Sequence, residues 1–183
     1  MNYKLKLLGL ERDLPLVKTK EGLSLAGFNP VGDMQLLTKA AKKLAKIVLE
    51  NKIDYDLVLT TELKGLPIAQ EVARNLKCDY VCLRKENKCY LANAKCIEGG
   101  SITSGKSKYY ISQLDLEKLK NKKLLFVDDV FSTGSTFKSI TEFANQENFA
   151  LTGCLCILRE GNQELNFSFN GVPIYCCGYL PLP

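Results

Sequence analysis

The stretch from Lys122 to Thr136, KKLLFVDDVFSTGST, constrains this chain more than any other. Leu124, Leu125, Phe126 and Val127 form an apolar run without a polar break, the pattern of a strand buried on both faces. Asp128 and Asp129 follow, then Val130 and Phe131, a small hydroxylated loop (Ser132, Thr133, Gly134, Ser135, Thr136) and an amphipathic segment. The order reads as a buried strand, a carboxylate pair at its carboxyl end, a tight loop and a helix amino terminus. In an open α/β sheet that is where ligands bind. Backbone N–H groups at a helix start also suit a phosphate.

The rest of the chain can support such a sheet. It has 183 residues, 46% hydrophobic and 25% charged, enough for one domain with a core. No apolar run approaches the roughly 20 residues of a membrane span. The amino terminus, MNYKLKLLGLERDLPLV, lacks a signal-peptide pattern, so a cytoplasmic location is expected. The net charge of +5 comes from lysines spread along the chain, which favours a small polyanionic ligand over nucleic acid. The eight cysteines include no CxxC pair and are expected as thiols, with Cys82, Cys154 and Cys156 acting as small core hydrophobes. Histidine is absent, which excludes Ser-His-Asp and Cys-His catalysis and a histidine general base within this chain.

Periodicity supplies the remaining elements. Residues 1–30 read as short strands and turns. Asp33 caps a helix running to about Glu50, with Lys39, Lys42, Lys43 and Lys46 on a solvated face. Asp56 to Thr60 is a buried-type strand, followed by the loop Thr61 to Gly65, a helix from Leu66 to Leu76 and a strand from Tyr80 to Arg84. This βαβ unit implies a parallel sheet. Residues 85–112 form a long lysine-bearing excursion, the kind of connection that serves as a lid or binding loop. A hairpin is expected there, pairing Ser101-Ile102-Thr103 with Tyr109-Tyr110-Ile111. A helix to about Asn148, a strand from Leu151 to Leu158, a polar loop over 161–171 and a last strand from Val172 to Tyr179 complete the chain. Gly100 to Ser107 also fits GxxxxGK[ST]. A P-loop needs a helix from Gly-Lys-Ser, whereas Lys108 to Ser112 alternates like a strand, so a nucleotide-hydrolysing or kinase reading is not favoured.

LLFVDDVFSTGST closely resembles the phosphoribosylpyrophosphate (PRPP) motif of type I phosphoribosyltransferases. TELKGLPIA (Thr61 to Ala69) resembles that family's pyrophosphate loop, and LRKENK (Leu83 to Lys88) the segment that opens its catalytic loop. LERDLPLVKTKEGLSLAGFNP is similar to the amino-terminal part of adenine/guanine phosphoribosyltransferases. The resemblance implies an α/β fold with a central, mostly parallel sheet flanked by helices. It also implies a small hood from about residues 1–30 plus the C-terminal segment, and a flexible loop over about 85–112. The implied activity joins a purine base, adenine favoured, to the ribose of PRPP with Mg²⁺, releasing pyrophosphate. A homodimer is implied too. A PRPP-binding transcriptional regulator on the same fold is the alternative.

That chemistry assigns roles to residues. Ser132, Thr133, Gly134, Ser135 and Thr136 would surround the 5′-phosphate, with Gly134 permitting the close turn. Asp128 and Asp129 would accept hydrogen bonds from the ribose hydroxyls and reach Mg²⁺ through water. Leu63, Lys64, Gly65, Arg84 and Lys85 would hold pyrophosphate. Arg84 and Lys88, with the two aspartates, would stabilise the charge that develops as it leaves. A non-proline cis peptide is expected at Leu63-Lys64. Phe28, Asn29 and Phe131 are the candidates for the base.

Overall fold

The computed structural model describes residues 2–18, 22, 24–91, 93–99 and 107–181. The chain opens with β1 (Asn2–Leu7), β2 (Leu10–Lys18) and β3 (Ser24–Ala26), a three-stranded antiparallel sheet. Leu5, Leu7 and Leu14 of this sheet are buried in the main core rather than in a core of their own. Helix α1 (Met34–Glu50) then begins at Asp33, whose side chain accepts from Leu36 N at 3.1 Å. Arg12 of β2 grips the same carboxylate, Nε to Oδ2 at 2.5 Å and Nη2 to Oδ1 at 3.0 Å, and so ties the first sheet to the helix cap. That hydrogen bond from Arg12 holds Asp33 below the usual carboxylate range.

The βαβ unit follows as β4 (Leu57–Thr61), α2 (Gly65–Leu76) and β5 (Tyr80–Leu83), with β4 and β5 parallel. Next come β6 (Lys95–Gly99) and β7 (Ser107–Ile111), an antiparallel hairpin, and the short helix α3 (Gln113–Leu119). The partner of β7 is therefore 95–99, not 101–103, which lies outside the described residues. Most of the GxxxxGKS match lies outside them as well. Its last residue, Ser107, opens a strand rather than a helix.

Strand β8 (Lys123–Phe131), α4 (Ser135–Glu147), β9 (Ala150–Glu160), β10 (Asn166–Phe169) and β11 (Val172–Leu180) close the fold. Strand β8 runs through both carboxylates, longer than its apolar run suggested. Strand β10 occupies part of the region read as a polar loop; Phe167 and Phe169 alternate there with Asn166 and Ser168.

The central sheet has six strands in the order β10-β11-β9-β8-β4-β5, all parallel except β10. Its two faces are buried separately. One carries α1, α2 and the first sheet; the other carries the β6-β7 hairpin, α3 and α4. The first sheet meets the central one where Leu7 lies over Gly178, since a Cβ at Gly178 would stand 2.3 Å from Leu7 Cδ1. Chain order turns outward from β4 to β5, then returns to the other side of β4 with β8. The crevice between the carboxyl ends of β4 and β8 is thus the switch point where such sheets bind ligands. Cys154 and Cys156 are buried in β9 as expected of packed thiols, whereas Cys82 is half-buried and outside the core, its thiol raised by partial burial to about 11. Among the described residues no helix is long and apolar enough to cross a membrane.

Candidate active site

The loop after β8 is braced by a glycine turn packed on aromatic rings. Gly134 adopts φ +77° immediately before α4. A side chain there would also meet the Phe169 ring at 2.8 Å and Phe131 Cζ at 3.0 Å. The loop therefore rests on an aromatic cluster, in which Phe131 lies edge-on to Phe167 and Phe169 at centroid distances of 5.2 and 5.5 Å. The first i→i+4 bond of α4, Lys138 N to Gly134 O at 2.8 Å, leaves the N–H groups of the first turn without helical partners. Beside them is a hollow of about 70 Å³ lined by Ser132, Thr133, Gly134, Ser135 and Thr136, with Asp128, Cys156 and the apolar Phe126, Val130, Phe131 and Phe137 also in its wall. Its size and donors suit one tetrahedral anion at a positive helix end.

Asp128 and Asp129 stand beside this hollow at the level where β8 leaves the sheet. Asp129 is 6% exposed, and Lys64 Nζ lies 2.6 Å from its Oδ2. The approach is off the hydrogen-bond line, so Oδ2 is a buried acceptor without a hydrogen-bond donor among the described residues. Asp128 Oδ1 accepts from Asp129 N at 2.9 Å. It also fills the space over Gly65, where a Cβ would come within 2.7 Å of Asp128 Oδ1 and of Thr60 Oγ1. Thr60 is anchored in turn by donating to Val127 O at 2.7 Å. The glycine that opens α2 is thus pressed against the carboxylate and lets it sit at a helix amino terminus. Burial, and next the charge of Asp129, push Asp128 up to about 7, while the N–H of Asp129 and Lys64 act in the opposite direction.

The opposite wall comes from the loop after β4 and the end of β5. Its non-proline cis peptide is Glu62-Leu63, one bond before the expected Leu63-Lys64. Leu63 is exposed, and Lys64 leans back to donate to Phe28 O at 3.3 Å as well as meeting Asp129. Glu62 binds this wall together: Oε1 accepts from Arg84 Nη1 at 3.3 Å and Oε2 from Lys85 N at 3.0 Å. Arg84 is also fixed through its backbone, which exchanges hydrogen bonds with Tyr110 of β7 at 2.9 and 2.7 Å. Lys88 is exposed, pairs with Glu86 and does not line the cleft.

Between the two walls lies an open cleft of about 590 Å³. It is bordered by Thr61, Glu62, Leu63, Lys64 and Lys85 on one side and by Asp128, Asp129, Val130, Ser132 and Thr136 on the other. Val17, Leu25 and Ala26 of the first sheet, Gly27 and Phe28 just after it, Tyr109 of the hairpin, Glu160 and Leu180 complete it. Of the three base candidates only Phe28 borders this cleft, and it is 7% exposed. Asn29 lines a neighbouring hollow beside Arg12 and Asp13, and its Oδ1 accepts from Val31 N at 3.2 Å. Phe131 turns away into the aromatic cluster behind the loop. Sequence reasoning did not single out Glu62 or Glu160. The paired cations after β5 were the available signal for Glu62; Glu160 had none beyond its place at a strand end.

Comparison with known proteins agrees with this geometry. Residues 30–170 match the family described as the phosphoribosyl transferase domain. A hypoxanthine/guanine phosphoribosyltransferase from Methanothermococcus okinawensis is 29% identical over 133 residues, 73% of this chain and 68% of that protein. An adenine phosphoribosyltransferase from Malacoplasma penetrans is 26% identical over 135 residues, 73% of this chain and 75% of its own. The crystal structure of adenine phosphoribosyltransferase from Thermoanaerobacter pseudethanolicus superposes with a TM-score of 0.71 at 17% identity, covering 91% of this chain and 95% of the other, and so shares the fold. Because the family match spans well over half of its length, the chain belongs to the phosphoribosyltransferase family.

Proposed function

We propose that this chain transfers the phosphoribosyl group of PRPP to a purine base, giving a nucleoside monophosphate and pyrophosphate. The observation that carries the reading is the placement of Asp128 and Asp129 between two groups of donors in one crevice. The hollow beside Ser132 to Thr136 lies on one side, and Lys64 and Lys85 lie on the other. PRPP has that layout: a 5′-phosphate, a ribose with two free hydroxyls, and a pyrophosphate. The buried Oδ2 of Asp129 is matched by a ribose hydroxyl or a metal-bound water, each of which supplies the donor it lacks.

The bond from the anomeric carbon to pyrophosphate breaks with its electron pair leaving on pyrophosphate. The bond to the purine nitrogen forms, and the proton of that nitrogen is released. Positive charge grows on the ribose ring beside the two carboxylates, and negative charge grows on pyrophosphate beside Lys64 and Lys85; Arg84 does not border the cleft and is held by Glu62. The carboxylate pair fits a cation carried in with the diphosphate. Mg²⁺ held there through water by Asp128 and Asp129 would supply charge neutralisation of the leaving group.

Adenine is the base favoured by the sequence resemblance, yet relatives of similar identity are named for adenine and for hypoxanthine/guanine, so the choice rests on the cleft. Incubating the protein with Mg–PRPP and each of adenine, guanine, hypoxanthine and xanthine, and measuring pyrophosphate release, tests the reading. Turnover of one base supports it. Tight Mg–PRPP binding without turnover of any base would replace it with a PRPP sensor on the same fold.

A further inference from the structure

Three cleft carboxylates are engaged with other groups of the protein. Glu62 holds Arg84 and the Lys85 N–H, Asp129 meets Lys64, and Asp128 accepts from the Asp129 N–H. Glu160 also borders the cleft, but its carboxylate has no hydrogen bond or ion pair among the described residues. It is the last residue of β9 and is held at a defined height, because it pairs in register with Leu180 and the following Gly161 N donates to Leu180 O at 2.9 Å. Its neighbour Arg159 faces elsewhere, over the ring of Phe167 at 3.4 Å. Register also gives the height of Glu160 above the carboxylate pair. Asp128 pairs with Cys156 and Val130 with Leu158, so Asp129 is level with Ile157. Glu160 lies three residues further on, about 10 Å along the strand. Leu25, Ala26, Gly27 and Phe28 border the same cleft and offer an apolar surface for a flat ring. A base joined to a ribose at Asp128 and Asp129 reaches into this end.

We infer that Glu160 selects the base, and that it selects guanine. This rests on the purine phosphoribosyltransferase reading above. An ionised carboxylate only accepts hydrogen bonds, through two oxygens side by side. Guanine presents two adjacent donors on one edge, N1–H and the 2-amino group, and both are satisfied by one carboxylate. Hypoxanthine keeps N1–H but lacks the amino group. Adenine presents N1 as an acceptor beside its 6-amino group, which sets a lone pair against a carboxylate oxygen. Xanthine flanks N1–H with two carbonyl oxygens. Charge-assisted hydrogen bonds discriminate more strongly than apolar contacts, and a site built to accept them rejects a base that cannot donate.

The test uses the full chain and its isosteric variant Glu160→Gln, with Mg–PRPP and each base in turn. The expected wild-type order is guanine, then hypoxanthine, then adenine and xanthine, with kcat/KM for guanine about tenfold or more above hypoxanthine. Glu160→Gln lowers kcat/KM for guanine about 10- to 100-fold, leaves the KM for PRPP unchanged and narrows the gap to adenine. A wild-type preference for adenine overturns the inference, as does an equal loss for all four bases in the variant. Calorimetric binding of GMP and AMP separates this inference from the catalytic reading. If no base is turned over, tighter binding of GMP than AMP that is lost in Glu160→Gln still supports the role of Glu160. Equal binding of the two nucleotides overturns it.

Discussion

The two walls of the cleft are built on different principles. The wall after β8 is set before any ligand arrives. Its turn is fixed by Gly134 at φ +77°, backed by Phe131 and Phe169, and its donors are backbone N–H groups that cannot swing away. The wall after β4 carries side-chain charge already committed to other partners: Lys64 to Asp129, and Arg84 to Glu62. A phosphate entering the first wall displaces at most the hydroxyl contacts between Thr133 and Ser135. A pyrophosphate must draw Lys64 off Asp129 to use it at the second. One wall therefore supplies affinity, whereas the other responds to the arriving charge, and substitutions on the two sides should fail differently.

The largest effect is expected at the boundary between them. Asp129→Ala removes the buried acceptor for the ribose and strands Lys64, and kcat/KM for PRPP should fall by about a thousandfold or more. A circular dichroism spectrum like that of the wild type would show that the fold survives. Unchanged turnover would remove Asp129 from the chemistry and dissolve the distinction between the walls. Gly134→Ala probes the braced wall alone. The added methyl carries a φ that L-residues avoid, at about 1–2 kcal/mol, and it meets the Phe169 ring. Thermal unfolding should shift down by several degrees and the KM for PRPP should rise at least tenfold. A variant with wild-type KM would mean that the turn is not the phosphate site.

Lys64→Ala probes the responsive wall. Asp129 loses the cation that meets it, and the leaving group loses a positive charge facing the negative charge that grows as its bond breaks. The expected result is a fall in kcat of about 10- to 100-fold with a smaller change in KM, the reverse of the Gly134→Ala pattern. Steady-state kinetics on the two variants side by side decide the matter. A pure KM effect in Lys64→Ala would make both walls binding surfaces.

The same contrast explains what the sequence disclosed. The wall after β8 is a contiguous stretch, and its chemistry follows local rules: apolar run, acids, small hydroxylated turn, helix. Asp128, Asp129 and Ser132 to Thr136 are legible for that reason, and so are the parallel sheet and the helix that starts at Asp33. The wall after β4 depends on which side chains cross the crevice. The contact of Lys64 with Asp129 joins residues 65 positions apart in sequence, and no periodicity encodes it. Phe131 was misplaced for a related reason. A strand buried on both faces gives no alternation to say which way its last residue points. The aromatics that claim Phe131 sit on β10, whose alternation of Asn166, Phe167, Ser168 and Phe169 is a readable strand signal inside a polar stretch. Asn29 was placed by resemblance, whereas its side chain serves the turn at Val31.

The smallest effect concerns the proton on Asp128, where both walls meet. Burial raises this group to about 7 in the free protein, against roughly 4 in an unfolded chain. Below about pH 4 it is protonated in both states and its favourable contribution is complete. As pH rises toward 7 the unfolded chain releases the proton while the folded chain retains it, so this contribution is lost over that window. Thermal unfolding of the free protein followed from pH 4 to 8 should therefore decline more steeply than in Asp128→Asn, which removes the titrating group and should be a few degrees more stable at pH 8. Mg–PRPP binding should run the other way in the wild type. It needs the carboxylate, so affinity should strengthen by several-fold between pH 6 and 8 and flatten above. Lys64 opposes the upward shift, so Lys64→Ala should move both transitions to higher pH. A binding profile unmoved by that variant would mean the two walls are not electrostatically joined.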